Sequence, residues 1–288
     1  MKADALMQSI ETWLKQLAAE LREGHTQGFV GFLEKMGRFP RYSARNTLLI
    51  LLQRPDATLV AGMKRWNELG RRVRKGERAI AILAPTLKRV EVVDGETGEV
   101  REERQIVGFH TAYVFDVSQT EGAPLEPARV PASEDALLYA QLAAACPVPV
   151  EEGLLRAGMV GKTDGKRIVL AADLSPAHKA ETLLHEWAHV LLHFDGARRE
   201  ARVEELEAEA TAYAVGRQLG LAMESSRDYI LDWQGTVEGL EGALERSMRG
   251  AREILEALPA QPERGGSIEG KDQGAAGAAP FLCAKEEA

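Results

Sequence analysis

Ser175-Pro-Ala-His-Lys-Ala-Glu-Thr-Leu-Leu-His-Glu-Trp-Ala-His-Val-Leu-Leu-His193 is the stretch on which the reading of this chain turns. Ser175 is an N-cap residue and Pro176 follows at the first helical position, where a missing N–H costs nothing, so a helix begins here. No glycine or proline interrupts it through His193. Two histidines four apart, His185 and His189, lie about 40° apart in projection and one turn apart in height, so both imidazoles can reach one ion ~2.1 Å away. Glu186, one residue round, flanks the open coordination position and can take a proton from water there. The flanking Leu183, Leu184, Val190, Leu191 and Leu192 bury the face that carries these groups. Ionisable groups on a buried face are costly unless they pair or bind metal, which favours Zn2+ over a chance surface pattern.

The third ligand must come from another element. His193 lies eight residues beyond His185, ~12 Å along a straight helix, so it is expected at the helix end or behind the ligands. The following helix offers Glu204, Glu205, Glu207 and Glu209. Glu209 sits beside the stripe of Leu206, Ala210 and Tyr213, among small alanines that permit close helix packing. Glu204 and Glu205 fall in a charged turn and read as solvated, and Glu207 is expected to point away from the stripe. Packing therefore favours Glu209, with the other glutamates as alternatives.

Outward from this motif, helical periodicity marks Glu134 to Ala145, Arg202 to Leu219, Ser225 to Trp233 and Val237 to Leu258, with a strand at Arg167 to Leu170. Residues 259–288 are rich in Gly, Ala, Pro and Glu and are expected to be a disordered tail. The first half opens with an amphipathic helix on Ile10, Trp13, Leu14, Leu17 and Leu21. Helices follow at Gly28 to Met36, from Ser43 to Leu52, and from Met63 to Leu69, which Gly70 closes. The period then changes to two, giving strands at Ala79 to Leu83, Arg89 to Val93 and Ile106 to Val117, with a hairpin turn at Asp94-Gly95 and Thr97-Gly98. The expected architecture is α+β: a first domain over 1–120 of helices and a small antiparallel sheet, a linker at 121–135, and a mainly helical domain over 136–258 that carries the metal motif.

The 288 residues carry a net charge of −8, unevenly spread. Between positions 31 and 90 there are 14 basic residues against four acids, a local net of +10, so the remainder sums to −18. Such a split points to a polyanionic partner for the first half. Cys146 and Cys283 match no disulfide or metal spacing, and no signal peptide or membrane span is legible, so a cytoplasmic location without membrane contact is expected.

Several motifs together resemble a known family. His-Glu-Trp-Ala-His-Val-Leu-Leu-His followed by Glu-Ala-Glu-Ala-Thr-Ala-Tyr-Ala resembles the ImmA/IrrE-like zincin metallopeptidases, and that resemblance also assigns the third ligand to Glu209. Tyr42-Ser-Ala-Arg-Asn46, Gln53-Arg-Pro-Asp-Ala-Thr58, Val60-Ala-Gly62, Trp66, Leu69-Gly-Arg71, Val73-Arg-Lys-Gly-Glu77 and Phe115-Asp-Val-Ser-Gln-Thr120 are similar to the N-terminal single-stranded-DNA-binding domain of ArdC-type antirestriction proteins. Ser226, Tyr229, Ile230 and Trp233 are similar to the segment closing the metallopeptidase domain of the same proteins. The resemblance implies a protein that binds single-stranded DNA and carries a zincin half with an undefined protein substrate.

A single strand needs cations for its phosphates and aromatic faces for its bases. Lys64, Arg65, Arg71, Arg72, Arg74 and Lys75 supply the charge around one loop, and Tyr42, Arg45 and Asn46 supply stacking and hydrogen-bonding groups. Trp66 and Phe39 read as core. Two functions follow. In one, a zinc endopeptidase with Glu186 as general base is tethered to DNA, with Tyr213, Tyr229 or His110 as candidates to stabilise the oxyanion. In the other, the protein occludes DNA from nucleases and the metal is structural.

Overall fold

A computed structural model describes residues 2–23, 27–93, 100–125, 135–156, 158–223 and 236–258. The segments expected as a helix at Ser225 to Trp233, as a turn at 94–99 and as a tail at 259–288 lie outside the described residues, as does Cys283. The fold is α+β. In the first half, α1 (Ala3–Arg22), α2 (Gln27–Met36) and α3 (Ala44–Gln53) pack together. The side chain of Ser43 accepts from the Asn46 N–H and caps α3. These helices bury Leu6, Ile10, Leu14, Leu17 and Leu21 against Phe29, Leu33, Leu49 and Ile50.

Beside them stands a long antiparallel hairpin, β3 (Ile80–Val93) and β4 (Val100–Asp116), whose register shifts at Thr86/Leu87. The two short strands expected at Ala79 to Leu83 and Arg89 to Val93 are one continuous strand, because the bulge lets the ladder run past the break in hydrophobic pattern. β1 (Val60–Ala61) pairs with the far edge of β4. The exposed edge of β3 is closed by side-chain amides from α3. Asn46 donates to the Leu83 carbonyl and accepts from its N–H at 2.8 and 2.9 Å, and Gln53 repeats the pattern on Ala81 at the same distances. Each amide imitates a strand residue, blunting an edge that would otherwise recruit another chain.

The Phe115 to Thr120 motif has a structural explanation. Asp116, almost fully buried, accepts from the N–H groups of Thr58, Leu59 and Ser118 and from the Ser118 hydroxyl. Gln119 closes a capping box by accepting from the Asp116 N–H. Trp66, on α4 (Met63–Glu68), is buried and donates to the Phe115 carbonyl at 2.9 Å. β2 (Arg71–Val73) pairs antiparallel with β5 (Thr120–Gly122), a strand at the start of the expected linker.

In the second half, α5 (Asp135–Ala145) and a three-stranded sheet of order β6-β8-β7 flank α6 (Pro176–Leu192). β6 (Val150–Gly153) runs parallel to β8 (Ile168–Ala171), and β7 (Gly161–Thr163) pairs with it antiparallel at the sheet edge. α6 packs on α7 (Ala201–Gln218), and both meet α8 (Val237–Ala257). The core runs without a break from Leu6 to Ile254. At Gly37 the end of α2 comes so close to α7 that a Cβ would collide with the Ala214 carbonyl. Glu245 of α8 accepts from the Ala44 and Arg45 N–H groups at the start of α3, and Glu241 pairs with Arg45 at 2.6 Å.

Candidate metal centre

Two packed helices position the site. α6 starts where Ser175 accepts from the His178 N–H, and it ends at His193, whose N–H bonds the His189 carbonyl. His185 and His189 turn their Nε2 atoms toward each other, 3.1 Å apart. Glu205 of α7 faces both, with Oε2 at 3.4 Å from His185 Nε2 and Oε1 at 3.5 Å from His189 Nε2. Ligand atoms ~2.0–2.1 Å from a tetrahedral zinc lie about 3.3–3.4 Å from one another. The observed spacings of 3.1, 3.4 and 3.5 Å therefore fit one ion in the middle of this triangle.

Glu209 stands elsewhere. Its Oε2 lies 2.9 Å from His185 Nδ1, the nitrogen on the opposite side of the ring from Nε2. A carboxylate there holds the ring and fixes its tautomer, leaving Nε2 free for a cation. Glu209, expected as the third ligand, thus lies on the Nδ1 side of His185, whereas Glu205 lies on the Nε2 side of both rings. Residues 205 and 209 are one turn apart on the same face of α7, so small neighbours favour both equally. Glu205 is half exposed yet still reaches both Nε2 atoms.

Glu207, expected to point away from the stripe, is fully buried. It receives His193 at 3.2 Å on Oε2 and Arg246 of α8 on Oε1, at 2.8 Å from Nε and 2.5 Å from Nη2. His193 in turn meets His189 Nδ1 at 2.8 Å. It is thus both the helix end and the partner of a histidine, as helix length required.

The electrostatics call for a cation. Burial disfavours charge on His185, but Glu205 and Glu209 outweigh it and lift its pKa to about 10. The two histidines hold the Glu205 carboxyl well below its ordinary range. A proton on His185 supplies the positive charge that two neighbouring carboxylates need, a role a divalent ion fills more fully. Glu186 is nearly buried, and that burial raises its pKa against the opposing pull of His185 and His189. Its carboxylate lies against β7, where a Cβ on Gly161 would approach Oε1 to 2.9 Å. A carboxyl with raised pKa beside a metal position is suited to accept and return a proton.

Of the oxyanion candidates, Tyr213 is buried with its hydroxyl on Glu34 at 3.1 Å, and His110 bonds Thr86 on the hairpin. Tyr229 lies outside the described residues.

The basic residues separate into two groups. Arg45 is paired with Glu241, Arg65 with Glu68, and Arg74 with Glu77 and the Ser118 carbonyl. Arg71 binds Thr120 and the backbone of β5. Asn46 is committed to Leu83, and Tyr42 to the Val60 carbonyl, its ring against Phe39 and its pKa raised to about 12 by burial. Lys64, Arg72 and Lys75 are exposed and have no polar partner among the described residues. The sequence reading missed Phe109 and Tyr113, both half exposed on one face of β4 opposite Pro85 and Ala81. Strict alternation assigns them to a face, but only the structure leaves that face uncovered.

Fold and site together define a metallopeptidase-like half joined to an α+β half. Residues 3–115 match the N-terminal domain of the anti-restriction factor ArdC, and residues 144–216 match the IrrE N-terminal-like domain of the M78 peptidases. The chain thus carries an ArdC N-terminal domain followed by an IrrE-like peptidase domain. It is 27% identical over 261 residues to the uncharacterized protein pXO2-81 of Bacillus anthracis, covering 74% of this chain but only 44% of that relative. The metal-free crystal structure of the antirestriction protein ArdC from plasmid R388 superposes with a TM-score of 0.50 at 18% identity, over 86% of this chain and 97% of that one. A Mn(II)-bound structure of the same protein gives 0.48 at 16% identity over the same shares. Among the described residues no helix is long and apolar enough to cross a membrane.

Proposed function

We propose that this chain is a single-stranded-DNA-binding zinc metallopeptidase of the antirestriction type, with His185, His189 and Glu205 holding Zn2+ and Glu186 as general base. One observation carries the reading: two Nε2 atoms and a carboxylate at ligand spacing, beside a nearly buried glutamate. An ion bound there would polarise a carbonyl and acidify water. Glu186 takes the proton from the attacking water and returns it to the departing amine, which its raised pKa favours. β7 is a sheet edge beside α6, and an extended peptide can add to it as a further strand. For DNA, Tyr113 and Phe109 offer the stacking faces, in place of Tyr42, and Lys64, Arg72 and Lys75 the uncommitted charge.

The test pairs metal analysis with cleavage of an unbiased peptide library by the wild type and by Glu186→Gln. One zinc per chain and cleavage abolished in the variant are expected. A zinc-loaded wild type that cleaves nothing, with DNA protection intact in Glu186→Gln, would favour a DNA-occluding protein whose metal is structural.

A further inference from the structure

Behind the two histidines the structure is asymmetric. His185 Nδ1 rests directly on the Glu209 carboxylate, whereas His189 Nδ1 rests on another imidazole, His193. An imidazole can donate or accept at either nitrogen, so this contact alone fixes nothing. What stands behind it does. Glu207 and His193 are almost fully buried, and Arg246 places its Nε and Nη2 donors on Glu207 Oε1. A guanidinium can only donate, so the two Arg246 donors hold Glu207 as a carboxylate. A carboxylate can only accept, so His193 must donate from Nε2 to Oε2. With its own Nε2 left bare for the metal, His189 carries its proton on Nδ1 and donates it to His193 Nδ1.

We propose that Arg246, Glu207 and His193 form a positioning chain that imposes this one tautomer on His189, clearing its Nε2 for the metal. The inference rests on the metal reading above, and it assigns a task to an arginine on a helix that contributes no ligand. The donors converge on Glu207: His189 and His193 point toward it from α6, and Arg246 donates to it from α8.

Replacing Glu207 with glutamine tests the direction while preserving shape. Arg246 would claim the amide oxygen, turning the amide nitrogen toward His193 Nε2. His193 would then carry its proton on Nδ1, and His189 would be driven to the tautomer protonated on Nε2. Zinc titrations against a chromophoric chelator should show affinity falling about 10–100-fold in Glu207→Gln, with all three ligands intact. Nitrogen-15 NMR of the histidines in the unaltered zinc-loaded protein should find His193 protonated on Nε2 only and His189 on Nδ1 only, which no general loss of packing would imitate. Should Glu207→Gln fail to fold, that spectrum decides alone. A wild type that binds no zinc sinks the metal reading and this chain with it. A wild type that binds zinc, with Glu207→Gln within about threefold of it or with His193 protonated on Nδ1, overturns the positioning chain only.

Discussion

Glu205→Ala and Glu209→Ala should separate a ligand from the group that holds one. The Glu205 carboxylate straddles the two Nε2 atoms at 3.4 and 3.5 Å, on the side where an ion belongs. Binding free energies of about 10–16 kcal/mol for four-ligand zinc sites correspond to roughly 2.5–4 kcal/mol per ligand. Removing Glu205 should therefore weaken binding by about two to three orders of magnitude. Glu209 touches only His185 Nδ1, at 2.9 Å, and its loss frees the ring without removing a ligand atom. A drop of about 10–100-fold is expected for it. Chelator competition gives both affinities, and thermal unfolding of the metal-free variants reports whether the helices still pack. If Glu209→Ala loses as much affinity as Glu205→Ala while remaining folded, the assignment from ligand spacing is wrong.

Gly161→Ala would bring a methyl to 2.9 Å from Glu186 Oε1 and 2.5 Å from Thr182 Cγ2, so peptide cleavage should fall at least tenfold while zinc affinity holds. A parallel loss of zinc would show that the strand supports the metal instead. Asp116→Asn should cost about 2–4 kcal/mol at neutral pH, since an amide cannot accept from both pairs of donors. Burial opposes the charge of Asp116, but Ser118 and the Thr58 and Leu59 N–H groups outweigh it and lower its pKa. A depressed folded pKa gives stability that is full above the unfolded value of ~3.9 and is lost as pH falls through the folded one. Urea midpoints of wild type and variant should thus converge in acid, and a constant gap would refute this. Tyr113→Ala and Phe109→Ala should each weaken single-strand binding by about 1–3 kcal/mol without changing its salt slope. Reversing the charge at Lys64, Arg72 and Lys75 should flatten that slope by about 0.7 for every phosphate no longer neutralised; an unaltered slope would move the DNA surface elsewhere.

Much of the site was legible before any coordinates. His185, Glu186 and His189 announce themselves because helical spacing alone brings them to one side, and His193 could be removed from the ligand set by length alone. Which glutamate of α7 faces the two Nε2 atoms was not legible, because residues one turn apart share a face and only the rotation of the helix against α6 separates Glu205 from Glu209. Nor could the partners of Glu207, one at the end of α6 and one on α8, be read from its place off the stripe. Likewise Arg71 and Arg74 read as phosphate ligands from charge density and Arg45 as a hydrogen-bonding group, whereas each is engaged by an acid, hydroxyl or carbonyl distant in sequence. The short strands β1, β2, β5, β6 and β7 leave too little periodicity to detect.

Helix α8 touches both matched stretches, bracing α3 through Glu241 and Glu245 and reaching the metal centre through Arg246 only one residue further on. Severing the chain between the stretches would therefore deprive each of a wall, since the fragment with the histidines would keep a helix whose other side is shaped for α3. Fragments expressed apart should be poor stand-ins for their halves, yet mixed together they have the means to find each other again. In practical terms, the seam that family boundaries draw along the sequence is one across which the molecule is stitched.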